Sequence, residues 1–92
     1  QTQAIRENRT RLFDALSAMQ GLRVWPSAAN FLLVKTERVP AKTVFERLRS
    51  HGILVKILDG AHPLLKDCLR INVSSIEENV MLLKAMAHSL IE

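Results

Sequence analysis

Apolar residues recur along this 92-residue chain with two different periods, which predict where helices and strands lie. Spacings of three and four indicate one buried face of an α-helix, whereas alternation or a short bounded apolar run indicates a β-strand. The predicted elements are, in chain order, a helix over 2–20, strands over 22–25 and 30–35, a helix over 41–50, strands over 53–58 and 68–73, and a helix over 76–91. This order, α-β-β-α-β-β-α, predicts an α+β fold in which a small sheet of three to four strands carries the helices on one face.

The helical spacings also predict which side chains are buried. The expected buried positions are Ile5, Leu12, Leu16 and Met19 in the first helix, Val44, Phe45 and Leu48 in the second, and Ile76, Val80, Leu83, Ala87 and Leu90 in the third. Ser75 and Glu78 have the spacing of a capping box, in which a serine hydroxyl and a glutamate carboxylate satisfy free backbone N–H groups. The third helix is therefore expected to begin directly after Ser75.

Alternation in the last two predicted strands separates an apolar face from a basic one. Leu69 and Ile71 are expected to face the helices, so Arg70 between them points to the opposite side of the sheet. The same period of two places Lys56 on that opposite side, together with the apolar Leu54 and Leu58. One open sheet face is therefore expected to carry both basic residues.

Arg70 has two interpretations, because an arginine inside an apolar strand requires an anionic partner. The first is a salt bridge to Asp59, to Asp67 or to a residue outside this chain. The second is a binding site for a carboxylate or a phosphate, since the planar guanidinium binds such groups through two parallel hydrogen bonds. The residues alone leave both interpretations open.

The composition fits one small domain, with 48% hydrophobic and 24% charged residues and three each of glycine and proline. A net charge of +4 permits an anionic partner, but the basic residues are dispersed, and the three phenylalanines and one tryptophan do not alternate with them. Nucleic-acid binding is therefore not expected. A membrane span is not expected either, because no apolar run approaches the roughly 20 residues that a helix needs.

The residue types that usually carry chemistry form no complete active site in this sequence. The single cysteine, Cys68, excludes a disulfide framework, favours a reducing compartment and is expected to be a small buried thiol. His51, His62 and His88 lack metal-ligand spacing, and His51 is expected to contact the last carbonyls of the helix before it. We expect no catalytic residue and no metal site within the chain. Because the sequence begins Gln-Thr-Gln-Ala, without Met or a signal peptide, we expect a piece of a longer chain.

Five short segments, read in order, carry a family resemblance. They are Arg-Glu-Asn-Arg-Thr-Arg-Leu at 6–12, Trp-Pro-Ser-Ala-Ala-Asn-Phe-Leu-Leu at 25–33, His-Gly-Ile-Leu-Val-Lys at 51–56, His-Pro-Leu-Leu-Lys-Asp-Cys-Leu-Arg-Ile at 62–71, and Glu-Glu-Asn at 77–79. Together they resemble the C-terminal small domain of histidinol-phosphate aminotransferase. The resemblance implies a leading helix over 1–20 and an α/β small domain over 22–92. One departure is Val-Ser-Ser at 73–75, where the family usually has Val-Gly-Thr.

The resemblance implies a pyridoxal-phosphate-dependent enzyme of the aspartate-aminotransferase fold type (fold type I), which acts in histidine biosynthesis as a cytoplasmic homodimer. Such an enzyme exchanges an amino group between histidinol phosphate or imidazole-acetol phosphate and glutamate or 2-oxoglutarate. It implies that Arg70 binds the phosphate of one substrate and the α-carboxylate of the other. It also implies that Lys56 is a second basic residue near the phosphate, and that Asn30 lies near the mouth of the site.

The resemblance further implies that the cofactor is held elsewhere. In this family the Schiff-base lysine and the groups around the cofactor belong to the large domain, and none of the five lysines here lies in a similar motif. Pyridoxal 5′-phosphate is therefore expected in the full-length protein but not on this chain alone, and the large domain is the expected partner of the open sheet face. The alternative is a free-standing α+β module that binds a ligand or regulates a partner without catalysis.

Overall fold

Four antiparallel strands form one sheet in the computed structural model, which describes residues 2–92. Across those residues the helices are α1 (Gln3–Ser17), α2 (Ala41–Ser50) and α3 (Ile76–Ser89), and the strands are β1 (Leu22–Val24), β2 (Phe31–Thr36), β3 (Lys56–Ile57) and β4 (Cys68–Asn72). The strand order is β1-β2-β4-β3, and every neighbouring pair is antiparallel. The α+β class and the predicted order of elements are confirmed.

The core lies between one face of this sheet and the three helices. Leu32 and Val34 of β2 and Leu69 and Ile71 of β4 are at most 1% exposed, as the alternation in these strands predicts. The helical side chains that meet them are Leu12, Leu16, Val44, Leu48, Leu82 and Met86. Burying each large aliphatic side chain contributes roughly 1.5–3 kcal/mol, so this single layer supplies most of the stabilisation of the domain.

The predicted core face of α3 is confirmed for Leu83 and Leu90, which are partly buried against the core, but the most buried face lies about one residue of helix rotation away. Ile76 and Val80, expected inside, are 53% and 45% exposed, and Ala87 is exposed as well. The residues that α3 buries are Asn79, Leu82, Ala85, Met86 and Ser89. The periodicity misleads because two polar residues are buried with their hydrogen bonds satisfied, while the apolar Ile76 and Val80 stay outside.

The first helix also differs from its prediction in part. It ends at Ser17, three residues before the predicted end, so Met19 packs against the core from the turn that follows. Leu12 and Leu16 are buried as expected, but Ile5 is 42% exposed because no described element covers the first turn of α1 on that side.

Strand β3 is much shorter than the predicted 53–58. The Ile53 N–H donates to the Leu48 carbonyl at 2.9 Å, in a tight turn that ends α2 through Gly52 at a φ of +78°. This turn directs residues 53–55 away from β4, and only Lys56–Ile57 pairs with it. A cleft lined by Leu54 and Asn72 opens between the two segments.

Asp67 anchors the start of β4 to the start of α2. Its carboxylate Oδ1 accepts a hydrogen bond from the Ala41 N–H at 3.0 Å, where Pro40 provides no side-chain cap. Asp67 has a φ of +58°, in the left-handed region, and its own N–H donates to the Asp59 carboxylate at 2.7 Å. Both carboxylates therefore serve the backbone at this junction.

We predict that Asp67→Ala lowers the free energy of unfolding by about 2–3 kcal/mol. About 1 kcal/mol comes from the lost helix cap and a further ~1–2 kcal/mol from an alanine held in the left-handed region. Asp67→Asn keeps the acceptor and tolerates that backbone conformation, so it should cost only about 0.5 kcal/mol. Urea denaturation of the two variants measures these free energies of unfolding. Equal losses in the two variants would contradict the role of Asp67 as the cap of α2.

Candidate anion-binding site

The sheet face opposite the helices carries the two basic residues that the alternation placed there. Arg70 of β4 and Lys56 of β3 occupy directly paired positions, and Leu33 of β2 lies opposite Arg70 on its other side. Arg70 is half-buried and Lys56 is exposed. The structure therefore brings Arg70 and Lys56 side by side.

Arg70 has no carboxylate partner within residues 2–92. Ion pairs join Arg38 to Glu92 and Arg49 to Glu46, and neither involves Arg70. The guanidinium carbon of Arg70 lies 5.5 Å from the centroid of the Phe31 ring, and its Nε is buried without a hydrogen-bond partner. An Nε–H in this condition retains an unused donor, and leaving it unpaired costs free energy.

The salt bridge to Asp59 or Asp67 considered from the sequence is wrong. Both carboxylates accept hydrogen bonds from backbone N–H groups at the β4–α2 junction, and neither pairs with Arg70. Arg70 therefore has no acid partner among residues 2–92.

The electrostatics of the open face favour such an anion. Like charges directly opposite each other in a sheet are destabilising, by up to about 1 kcal/mol, and here Lys56 faces Arg70. A second basic pair, Arg23 of β1 opposite Lys35 of β2, lies on the same face. The Arg23 guanidinium lies 4.9 Å from the centroid of Trp25, which shields part of its charge.

Asn30 lies at the end of the sheet where β2 begins. It is exposed, and its backbone carbonyl accepts a hydrogen bond from the Val73 N–H at 2.9 Å. Asn30 therefore borders the C-terminal end of β4, three residues beyond Arg70. No hydrogen bond joins its side chain to Arg70 or Lys56 across residues 2–92, so Asn30 lies beside the pair rather than in it.

The remaining candidates of the sequence have local structural roles. Cys68 is 2% exposed, and its burial raises the pKa of the thiol, which keeps it protonated and unreactive near neutral pH. His51 Nδ1 donates to the Arg47 carbonyl at 2.8 Å, which confirms its expected position at the end of α2. His62 Nδ1 accepts from the Leu64 N–H at 3.1 Å. Within residues 2–92 no three metal-ligating side chains come together.

Two features of the open face were not identified from the sequence. Phe31, beneath the Arg70 guanidinium, and the Arg23–Lys35 pair depend on the register between β1, β2 and β4. The sequence does predict the face of Lys35, because alternation along 30–35 places it on the side of the sheet opposite to Val34. Which residues of another strand lie beside it requires the three-dimensional pairing.

The fold and this face together define a small α+β domain with two neighbouring cations, Arg70 and Lys56, on its open sheet face. A family-level comparison then gives the class. Residues 1–86 match the model of the aminotransferase class I and II family, and the chain belongs to that family. No helix within residues 2–92 is long and apolar enough to cross a membrane.

Named relatives and solved structures agree with this membership. The chain is 54% identical over 91 residues to histidinol-phosphate aminotransferase 1 of Ralstonia nicotianae and 48% identical over 87 residues to histidinol-phosphate aminotransferase of Methylibium petroleiphilum. These two matches cover 98% and 94% of this chain but only 24% and 23% of the relatives. The histidinol-phosphate aminotransferase of Clostridium acetobutylicum superposes with a TM-score of 0.85 at 21% identity, over 91% of this chain and 25% of that one. The chain therefore has the fold of the small domain of these enzymes and spans about a quarter of their length.

Proposed function

We propose that this chain is the substrate-binding small domain of a pyridoxal-phosphate-dependent histidinol-phosphate aminotransferase. The reaction exchanges an amino group between histidinol phosphate and 2-oxoglutarate, giving imidazole-acetol phosphate and glutamate. The observation that carries the proposal is Arg70, a half-buried arginine with no acid partner within residues 2–92, directly opposite Lys56. The identities of 54% and 48% to enzymes of that name support the choice of substrate.

In this proposal Arg70 holds the anionic group of each substrate in turn. A guanidinium matches both a phosphate and a carboxylate in geometry, so one side chain serves the phosphate of the first substrate and the α-carboxylate of the second. Lys56 adds a second positive charge opposite Arg70, which suits the dianionic phosphate. Asn30 borders the same end of β4 and helps to position the substrate at the mouth of the site.

The cofactor does not fit the residues of this chain. A Schiff-base lysine is activated in a desolvated pocket or beside another cation, whereas Lys42, Lys56, Lys66 and Lys84 are exposed and Lys35 is half-buried on the open face. The family is generally pyridoxal-phosphate-dependent. In the proposed enzyme the cofactor therefore supplies the carbanion stabilisation from the large domain, and this chain contributes binding and orientation of the substrate.

The open face is also the proposed contact with the large domain. Leu54 is 78% exposed and Phe31 is 42% exposed on or beside it, and exposed apolar side chains grouped around a binding site often mark an interface. Closing the large domain over this face would exclude water from the Arg70–anion pair and strengthen it. The proposed enzyme is a homodimer of the cytoplasm, like the family that the sequence resembles.

We predict that Arg70→Ala in the full-length enzyme lowers kcat/KM for histidinol phosphate by at least about tenfold. A charge-assisted hydrogen bond to an anion is worth roughly 1.5–3 kcal/mol, and 1.4 kcal/mol corresponds to about a factor of ten. Arg70→Lys should recover only part of the loss, because a point charge cannot form the two parallel hydrogen bonds. Steady-state kinetics with both substrates measure the effect.

The competing explanation for Arg70 is a salt bridge to an acid of the large domain. It predicts a lower melting temperature for Arg70→Ala with kcat/KM nearly unchanged. Measuring both quantities on one preparation separates the cases, and intact kinetics with reduced stability would refute the role in substrate binding. Arg49→Ala, which removes an exposed ion pair with Glu46 on α2, is the matched control and should change neither quantity appreciably.

We predict that the 92-residue chain alone does not form an internal aldimine with pyridoxal 5′-phosphate. Its lysines lack the buried setting that such a bond requires. Titration with the cofactor, followed by absorbance, should show no saturable aldimine band, whereas the full-length enzyme should show one. A stoichiometric band on the chain alone would contradict the assignment of the cofactor site to the large domain and would favour a self-contained module.

A further inference from the structure

A half-buried asparagine, Asn8, and a buried one, Asn79, connect α1 with the far end of the strand that carries Arg70. Asn79 of α3 is 5% exposed, and its Oδ1 accepts a hydrogen bond from the Ser74 N–H at 3.0 Å. Its Nδ2 donates to the Ser74 carbonyl at 3.2 Å and to Asn8 Oδ1 at 3.1 Å. Asn8 Nδ2 donates to the same Ser74 carbonyl at 2.8 Å. We call this closed set the amide clamp.

The amide clamp joins parts of the chain that are distant in sequence. Asn8 lies in the middle of α1, whereas Ser74 and Asn79 lie more than 60 residues later, at the turn from β4 into α3. Both hydrogens of Asn79 Nδ2 and its Oδ1 are used, so removing one member leaves buried polar groups without partners. The clamp therefore holds a single arrangement of α1 against this turn.

The C-terminal end of β4 needs such support because β3 does not provide it. β3 pairs with β4 only at Lys56–Arg70 and Ile57–Leu69, so no rung holds β4 on that side beyond Arg70. On the other side the pairing with β2 continues to the hydrogen bond from the Val73 N–H to the Asn30 carbonyl. Arg70 is therefore the last residue of β4 that is paired with a neighbouring strand on both sides.

The clamp also explains how the departure at 74 is accommodated. Ser74 stands where the family usually has glycine, and the only non-glycine residue with a positive φ within residues 2–92 is Asp67. Ser74 therefore adopts a backbone conformation that any residue accepts. The geometry of this turn is determined by the hydrogen bonds of the Ser74 N–H and carbonyl to Asn79 and Asn8, and it does not require the conformational freedom of glycine.

We propose that Asn8 and Asn79 are positioning residues for substrate binding, which fix where Arg70 stands relative to α1. This proposal rests on the proposed function, because it assumes that Arg70 holds the substrate anion. Through α1 the clamp relates the anion site to the large domain that carries the cofactor. A loosened clamp leaves Arg70 in place within the sheet but lets the site shift against the cofactor.

Asn8→Ala in the full-length enzyme is the principal test. It removes the connection from α1 while Asn79 still satisfies the Ser74 N–H, so the domain is expected to fold. We expect KM for histidinol phosphate to rise about tenfold or more, because a displacement of about 1 Å at a remote position can cost as much as 100-fold. Asn79→Ala should have at least the same effect. Glu77→Gln, an exposed change on the same helix, is the control and should leave KM within about twofold.

A double variant distinguishes positioning from stability alone. If the clamp acts through Arg70, Asn8→Ala should change KM less than about twofold further once Arg70→Ala is present. A merely structural role predicts a lower melting temperature and an unchanged KM for Asn8→Ala at temperatures where the enzyme is folded, and this result overturns the proposal. Fully additive effects on KM also overturn it. If Asn79→Ala does not fold, the KM of Asn8→Ala alone decides whether the proposal stands.

Arg70→Ala in the same assay separates this proposal from the proposed function. If Arg70→Ala leaves both kcat/KM and KM unchanged, the assignment of the anion site fails, and the clamp proposal fails with it. If Arg70→Ala raises KM but Asn8→Ala does not, the anion site stands and only the clamp proposal is refuted.

Discussion

The alternation of β4 between a buried and an open face is the constraint on which the rest of this domain depends. Leu69 and Ile71 are almost fully buried beneath the helices, and that burial fixes Arg70 on the opposite side. A register slip of one residue would move the guanidinium into the core, where an unpaired charge is very costly. The hydrophobic core therefore determines the position of the anion site as well as the stability of the fold.

The same constraint places two positive charges, Arg70 and Lys56, opposite each other on the open face. Asp59 and Asp67, the two acids that directly precede β4, are used to start β4 and to cap α2. Arg70 and Lys56 thus face each other without a carboxylate from residues 2–92. In the proposed function the site accepts first a phosphate and then a carboxylate, and this arrangement suits it because no internal partner has to be displaced each time.

The sequence predicts the parts of this structure that arise from local patterns. The period of two gives the faces of β4 and the placement of Arg70 and Lys56 on one open face. The Ser75 hydroxyl caps α3 at the Glu78 N–H, as its spacing indicates. The errors occur where tertiary hydrogen bonds overrule the pattern. Asn79 is polar and is not among the buried positions that the spacing of α3 predicts, yet its partners come from α1 and from the turn after β4, so no local signal reveals its burial. The lack of an acid partner for Arg70 is likewise a property of the folded chain.

The availability of the Arg70 guanidinium for an anion is the central claim, and its Nε–H resonance tests it most directly. In the 92-residue chain, titration with inorganic phosphate at constant ionic strength should shift this resonance saturably. The Arg49 resonance, from a guanidinium already paired with Glu46, should move much less. If Arg70 moves no more than Arg49, or if sodium chloride produces the same displacement as phosphate, Arg70 is not a specific anion site.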